Sequence, residues 1–210
     1  MKKLLAILLA LLLALGCMPA LAEEESLYTA YTHPRLGYTV EYPTEFVVLD
    51  ADTLPLMLQM VGQMGLEGLD AATLQTLEPQ ITSTDMVMFM DAYTGANVNI
   101  AAADVGMAIT NELFLAMVMP TMLAQYEANF SNVTFFDKGS LVDFGENNFV
   151  QLILGYDMAG QSNYFAQFFF MDGTVMYTFG YTINAAMDEA TIIATDAFVE
   201  HLLASFAVAK

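Results

Sequence analysis

Between residues 149 and 182 the chain reads FVQLILGYDMAGQSNYFAQFFFMDGTVMYTFGYT, three strand-like runs separated by Ala159-Gly160 and Asp172-Gly173. Asp-Gly is a strong two-residue hairpin signal, because both central positions of the tight turn favour φ > 0. In the middle run Tyr164, Phe168 and Phe170 fall on one side, and Phe165, Phe169 and Met171 on the other. A strand wetted on one face alternates apolar with polar, so this pattern predicts a strand covered on both faces. In the third run Val175, Tyr177, Phe179 and Tyr181 alternate with Met176, Thr178, Gly180 and Thr182.

The earlier chain supplies further strands. Leu27–Thr32 and Gly37–Tyr42 flank the turn His33-Pro34-Arg35, and Tyr38, Val40 and Tyr42 alternate with Thr39 and Glu41 as in a half-buried strand. Pro43 ends it by removing a donor from the ladder. Phe46–Leu49 extends as a short strand, and Met86–Tyr93 and Ala96–Asp104 form a hairpin about Thr94-Gly95. Asn132–Phe136 and Ser140–Phe144 are read as two separate strands.

Three helices are predicted from period and caps, with a fourth short one. Thr53–Leu66 carries no charge, and Leu54, Met57, Leu58 and Val61 follow the spacing i, i+3, i+4, i+7. Asp70 caps a short helix over Ala71–Leu77, stopped by Pro79. A helix from Thr110 or Asn111 to about Ala128 is kinked or divided by Pro120. The last runs from the N-cap Asp188 to about Phe206, with Ile192, Thr195, Val199, Leu202, Leu203 and Phe206 on one face. The fold class expected is α+β: a single mostly antiparallel twisted sheet with helices on both faces, an α/β/α sandwich. Residues 51–85 form a helical insertion between early strands.

The first residues have a different purpose. Lys2 and Lys3 precede the apolar run Leu4–Leu15, and Ala20-Leu21-Ala22 places small residues where a signal peptidase cuts. Residues 1–22 are read as a secretory signal peptide and 23–210 as one domain. The competing reading is a lipoprotein signal modified at Cys17, after Ala14-Leu15-Gly16. The location expected is secreted or extracytoplasmic in the cell envelope. Cys17 is the one cysteine, so removal of the leader leaves no disulfide, no Cys-based zinc site and no thiol nucleophile. No later apolar run is long enough to span a bilayer.

Charge narrows the partners. After residue 22 the chain has 24 acidic residues against Arg35, Lys138 and Lys210, a net charge of −21. Nucleic-acid binding requires Lys and Arg to neutralise phosphates, so it is excluded. An anionic membrane surface repels the domain for the same reason.

The opening Gly37-Tyr38-Thr39-Val40-Glu41-Tyr42-Pro43, the strand Val175–Thr182 and the helix end Leu202–Phe206 resemble the PsbP-like superfamily. That superfamily includes the extrinsic photosystem II protein, a nuclear-import factor acting on Ran, and many secreted bacterial proteins. The resemblance spans about residues 27–207 and implies an antiparallel sheet between helices. It transfers no catalytic residue, because its members bind unlike partners and fold analogy licenses a scaffold only.

Motifs for chemistry are absent from the sequence. His33 and His201 lack metal-ligand spacing, no G-x-S-x-G surrounds Ser140 or Ser205, and no phosphate-binding glycine loop occurs. Asp50-Ala51-Asp52 lacks the later ligands of a calcium loop and is read as turn chemistry. Met57, Met60 and Met64, with Met86, Met88 and Met90, form two thioether stripes that fit either Cu(I) or a flexible core. The sequence predicts a non-catalytic, monomeric, exported binding or assembly module without a cofactor. Its expected contact surface is Leu54, Met57, Leu58, Met60, Val61 and Met64, facing a protein or a small apolar ligand. The alternative is a divalent-cation or copper-binding cell-envelope protein.

Overall fold

The computed structural model describes residues 27–64, 85–158, 160–184 and 187–209, together with Gln75, Glu78, Pro79 and Ile81. The segment read as a signal peptide lies outside these residues, as does all but Gln75 of the helix expected over Ala71–Leu77.

Strands β1 (Tyr28–Thr32) and β2 (Thr39–Pro43) pair as a separate hairpin. The remaining strands are β3 (Val47–Leu49), β4 (Val87–Met90), β5 (Asn97–Asp104), β6 (Ser131–Phe144), β7 (Asn147–Met158), β8 (Gln161–Asp172) and β9 (Val175–Asn184). They form one seven-stranded sheet in the order β3-β4-β5-β9-β8-β7-β6, antiparallel at every step. The three runs of the opening pattern are thus β7, β8 and β9, adjacent and in register. Among the described residues no helix is long and apolar enough to cross a membrane.

The alternation read in β8 and β9 resolves into two clusters. Phe168, Tyr177 and Phe179 join Phe149 and the buried residues Phe198, Val199, Leu202 and Leu203 of helix α3 (Glu189–Ser205). Phe169, Met171 and Met176 join Leu152, Leu154, Phe114 and Met119. The last two belong to helix α2, which comprises Asn111–Leu113, a π-helical segment Phe114–Val118, and Met119–Asn129. A third cluster gathers Leu49, Met88, Met90 and Ile81 with Leu54 of helix α1 (Leu54–Met64).

The division expected at Pro120 falls just before it, where the π-helical segment gives way to Met119–Asn129. Pro120 sits in the first turn of Met119–Asn129, just after the π segment, where Met119 N donates to Phe114 O, five residues back. At the first turn of a helical segment the N–H that proline lacks is the one least needed.

One expectation is corrected outright. Asn132–Phe136 and Ser140–Phe144 are one strand, β6, continuous through three register shifts. Asp137 Oδ1 accepts from Gly139 N and Ser140 N, and Gly139 adopts φ +125°, so the extra residues are absorbed as bulges. Asp and Gly together read as a break in sequence, yet pairing with β7 holds the strand together.

The β6–β7 turn grips the end of α3. Gly145 has φ +61°, and a Cβ there would meet Ala204 O at 3.0 Å. Gly145→Ala should therefore cost about 1–2 kcal/mol from left-handed backbone strain alone. A melting curve should shift down by about 5 °C. An unchanged midpoint would show that the turn is free to relax away from the helix.

Candidate functional site

The site is an open cleft of about 420 Å³ between the first half of α3, the β4–β5 turn and the start of the β1–β2 hairpin. Each wall has a local cause. Asp188 caps α3 by accepting from Thr191 N at 2.8 Å, which fixes where the helix begins. One turn on, Thr195 is buried, and its hydroxyl is satisfied by donating to Thr191 O at 2.8 Å. Phe46 meets Phe198 edge-on at 4.7 Å between centroids and closes the floor. Opposite, Asp91 builds the turn: its carboxylate accepts from Tyr93 N at 2.8 Å and from Thr94 Oγ1 at 2.6 Å. Leu27, Ala190 and Ala194 complete an apolar lining, and Glu45 and Asp91 are its charged members.

A second groove, of about 670 Å³, runs past the end of α3. In its lining Asn147 Nδ2 donates to Phe206 O at 2.7 Å and to Leu203 O at 3.3 Å. Ala207 pairs with Thr39 through both backbone bonds, and Ser205 Oγ accepts from Glu41 N. This groove reads as a seam that fastens the hairpin to the helix.

Polar chemistry gathers at a third place, where the β1–β2 turn meets the β3–α1 junction. Asp50 is buried; Oδ1 accepts from Asp52 N, Thr53 N and Thr53 Oγ1, and Oδ2 accepts from Tyr31 OH at 2.9 Å. Burial pushes this carboxyl up, but the bonds from Thr53, Tyr31 and Asp52 outweigh it and hold the pKa below the usual carboxylate range. Burial also raises Tyr31, and the hydrogen bond to Asp50 adds to it. The Asp50-Ala51-Asp52 turn chemistry is thus observed directly. His33 is 3% exposed, and its Nδ1 accepts from the backbone N–H groups of Arg35 and Leu36. Burial, and secondly the charge of Arg35, lower its pKa. Arg35 itself pairs with Asp85.

His201 lies near the end of α3. Its Nε2 lies 2.9 Å from Glu41 Oε2, and its ring stacks on Tyr28 at 3.7 Å. Ser205 Oγ donates to Leu202 O, and Ser140 N donates to Asp137 Oδ1. Among the described residues, no three of His, Cys, Asp and Glu come together as a metal site.

The expected contact surface is only partly offered outward. Leu54 is 1% exposed, and Met57 and Leu58 pack half-buried against the same cluster. Leu54 is therefore a core residue, because the apolar spacing that marked a surface is the one by which α1 docks. The side chains of Met60, Val61 and Met64 lie outside the described residues. Met88 and Met90 are buried and Met86 packs beside them, which accounts for the strand stripe as core and gives the copper reading no support. Cys17 lies outside the described residues. The cleft was missed because its walls come from four segments far apart in sequence. Asp188 and Thr94-Gly95 were read for their local roles alone.

No family model matches the chain, and no curated protein matches it by sequence. Among solved structures it is similar to cyanobacterial PsbP from Synechocystis, with TM-score 0.50 and 12% identity over 90% of this chain and 96% of that one. It is also similar to LpqN of Mycobacterium tuberculosis, a protein involved in cell envelope biogenesis, with TM-score 0.51 and 10% identity over 87% and 91% of the two chains. A Bacteroides thetaiotaomicron protein gives TM-score 0.49 and 11% identity over 88% of this chain, which spans 49% of that protein's length. At such identities the likeness speaks to the fold alone, and the fold is PsbP-like.

Proposed function

We propose that this protein is a non-catalytic, extracytoplasmic binding module of the cell envelope, and that the cleft beside α3 holds its ligand or partner. The layers are read as an α/β/α sandwich, with α3 and the β1–β2 hairpin on one face and α1 and α2 on the other. LpqN, of similar fold, is involved in cell envelope biogenesis, which agrees with the signal peptide read at residues 1–22. The outward side of α1, where Leu56 is exposed, is a secondary contact surface in this reading.

The observation that carries the proposal is the cleft itself, an apolar concavity whose walls are held by satisfied hydrogen bonds rather than by reactive groups. Asp50, Asp104, Glu112, Asp157 and Asp188 are all held toward their ionised form by hydrogen bonds that lower their pKa.

The test is a thermal-shift panel on residues 23–210 with neutral lipids, glycans and the uncharged apolar dye Nile red, run beside Ala194→Trp. Ala194 is exposed on the cleft wall, so the larger ring fills the space without entering the core. A ligand at a hundredfold its Kd should stabilise the wild type by about 2.7 kcal/mol by mass action. That gain should vanish in the variant. Equal stabilisation of both proteins, or no response to any compound, would discard the cleft as the binding site.

A further inference from the structure

The cleft continues onto an uncharged strip of α3. Ala190, Ile193, Ala194 and Ala197 are all exposed, and helical geometry sets them within about 100° of one another. Ile193 is 61% exposed, and across the cleft Leu27 and Tyr93 are 76% and 94% exposed. Such side chains offer area to a partner at little cost in ordering. Beyond the strip, Glu189, Asp196 and Glu200 follow along the next row of the helix, and Glu45 and Asp91 stand at the opposite wall. An apolar centre rimmed by charges of one sign has the anatomy of a protein interface.

Among the described residues no Lys or Arg lines the cleft. The whole chain carries −19, and among the described residues the two Lys and Arg side chains are already engaged elsewhere: Arg35 pairs with Asp85, and Lys138 lies over the Phe135 ring at 5.2 Å. The acidic field at the cleft therefore selects against acidic partners and steers basic ones.

Resting on the cleft as the binding site, we propose that its occupant is a basic amphipathic segment of another protein, laying apolar side chains along Ala190–Ala197 and into the cleft while its Lys or Arg side chains meet the acidic rim. An apolar ligand without charge leaves the rim unused, and a second copy of this chain opposes acid to acid.

The probe is a synthetic leucine–lysine peptide of about 18 residues, patterned to be amphipathic as a helix. Its binding to residues 23–210 is measured by fluorescence anisotropy across a salt series. Ala194→Glu separates the two components, since it blocks the apolar strip while adding one more negative charge. The expected result is binding that weakens with salt and falls about tenfold in Ala194→Glu. Binding should fall about threefold in the Glu189→Gln/Glu200→Gln double variant. A peptide of the same composition with its apolar face scrambled should bind clearly more weakly.

Binding to Ala194→Glu that is equal or tighter overturns the proposal, because attraction is then charge alone. So does equal binding of the scrambled peptide. Stabilisation by Nile red without peptide binding keeps the cleft reading and removes this one, whereas no response to either removes both. A wild-type dimer in light scattering that Ala194→Glu converts to monomer assigns the surface to a second copy and likewise overturns it.

Discussion

Phe206→Ala should destabilise the protein by about 4 kcal/mol, the upper part of the range for removing a buried phenyl ring. The reason is its position rather than its size alone. Phe206 lies one residue past α3 and is 3% exposed. Its ring centroid stands 5.0 Å from Phe179, 5.2 Å from both Phe170 and Tyr177, and 5.8 Å from Tyr38. It thus joins β8, β9 and Tyr38, the residue before β2, to the end of the helix. The adjoining backbone does the same work through the Thr39–Ala207 bridge and the Asn147 amide on Phe206 O. Removing the ring leaves a cavity among four rigid aromatics that cannot collapse into it. Calorimetry should show a drop of about 12 °C. Phe206→Leu should cost less than half as much, and near-equal losses for the two variants would refute the cavity explanation.

Asp50→Ala should cost about 3 kcal/mol, because it orphans buried donors rather than merely losing contacts. Tyr31 OH and Thr53 N lose their acceptor, and the β3–α1 junction loses the Asp50 turn that precedes α1. Tyr31→Phe in the Asp50→Ala background should recover about 1 kcal/mol, since the stranded hydroxyl is then gone. Acid should expose the same group. The folded pKa of Asp50 lies below its unfolded value, so its contribution is complete above about pH 4 and is lost as pH falls through the folded pKa. The gap between wild type and Asp50→Ala should therefore narrow below about pH 4. A gap of constant size from neutral pH down to the acid transition would mean that the carboxylate's charge is not what the junction uses. His33 adds an earlier loss. Its folded pKa is lowered, so the unfolded chain takes up a proton first, and stability declines as pH drops below about 6.5. That decline should be absent in His33→Asn if the side-chain amide oxygen takes over the two backbone bonds now accepted by Nδ1.

These two residues show how differently a role is legible. Phe206 stood in a recognisable helix-ending segment, yet nothing in its neighbourhood of sequence announced the four aromatics around it. Asp50 was read correctly as turn chemistry, because an Asx turn is made with residues two and three positions away. Its partner Tyr31 lies 19 residues earlier and could not be named. The apolar spacing of α1 was legible as a helical face, but the same spacing serves a docking face and a ligand surface alike. Burial of Leu54 decides for the core.

By itself the sequence determined the local elements and their faces: the β7–β8–β9 meander with its two-sided middle strand, the Asp188 cap and the extent of α3. Period-two alternation, caps and tight turns act over a few residues, so they are written where they act. Only the tertiary structure decided the strand order β3-β4-β5-β9-β8-β7-β6, the continuity of β6 through its bulges, and the cleft. Each depends on pairings between segments far apart in the chain. A sheet's order follows from which long-range contacts bury the most apolar surface together, and no single segment encodes that sum.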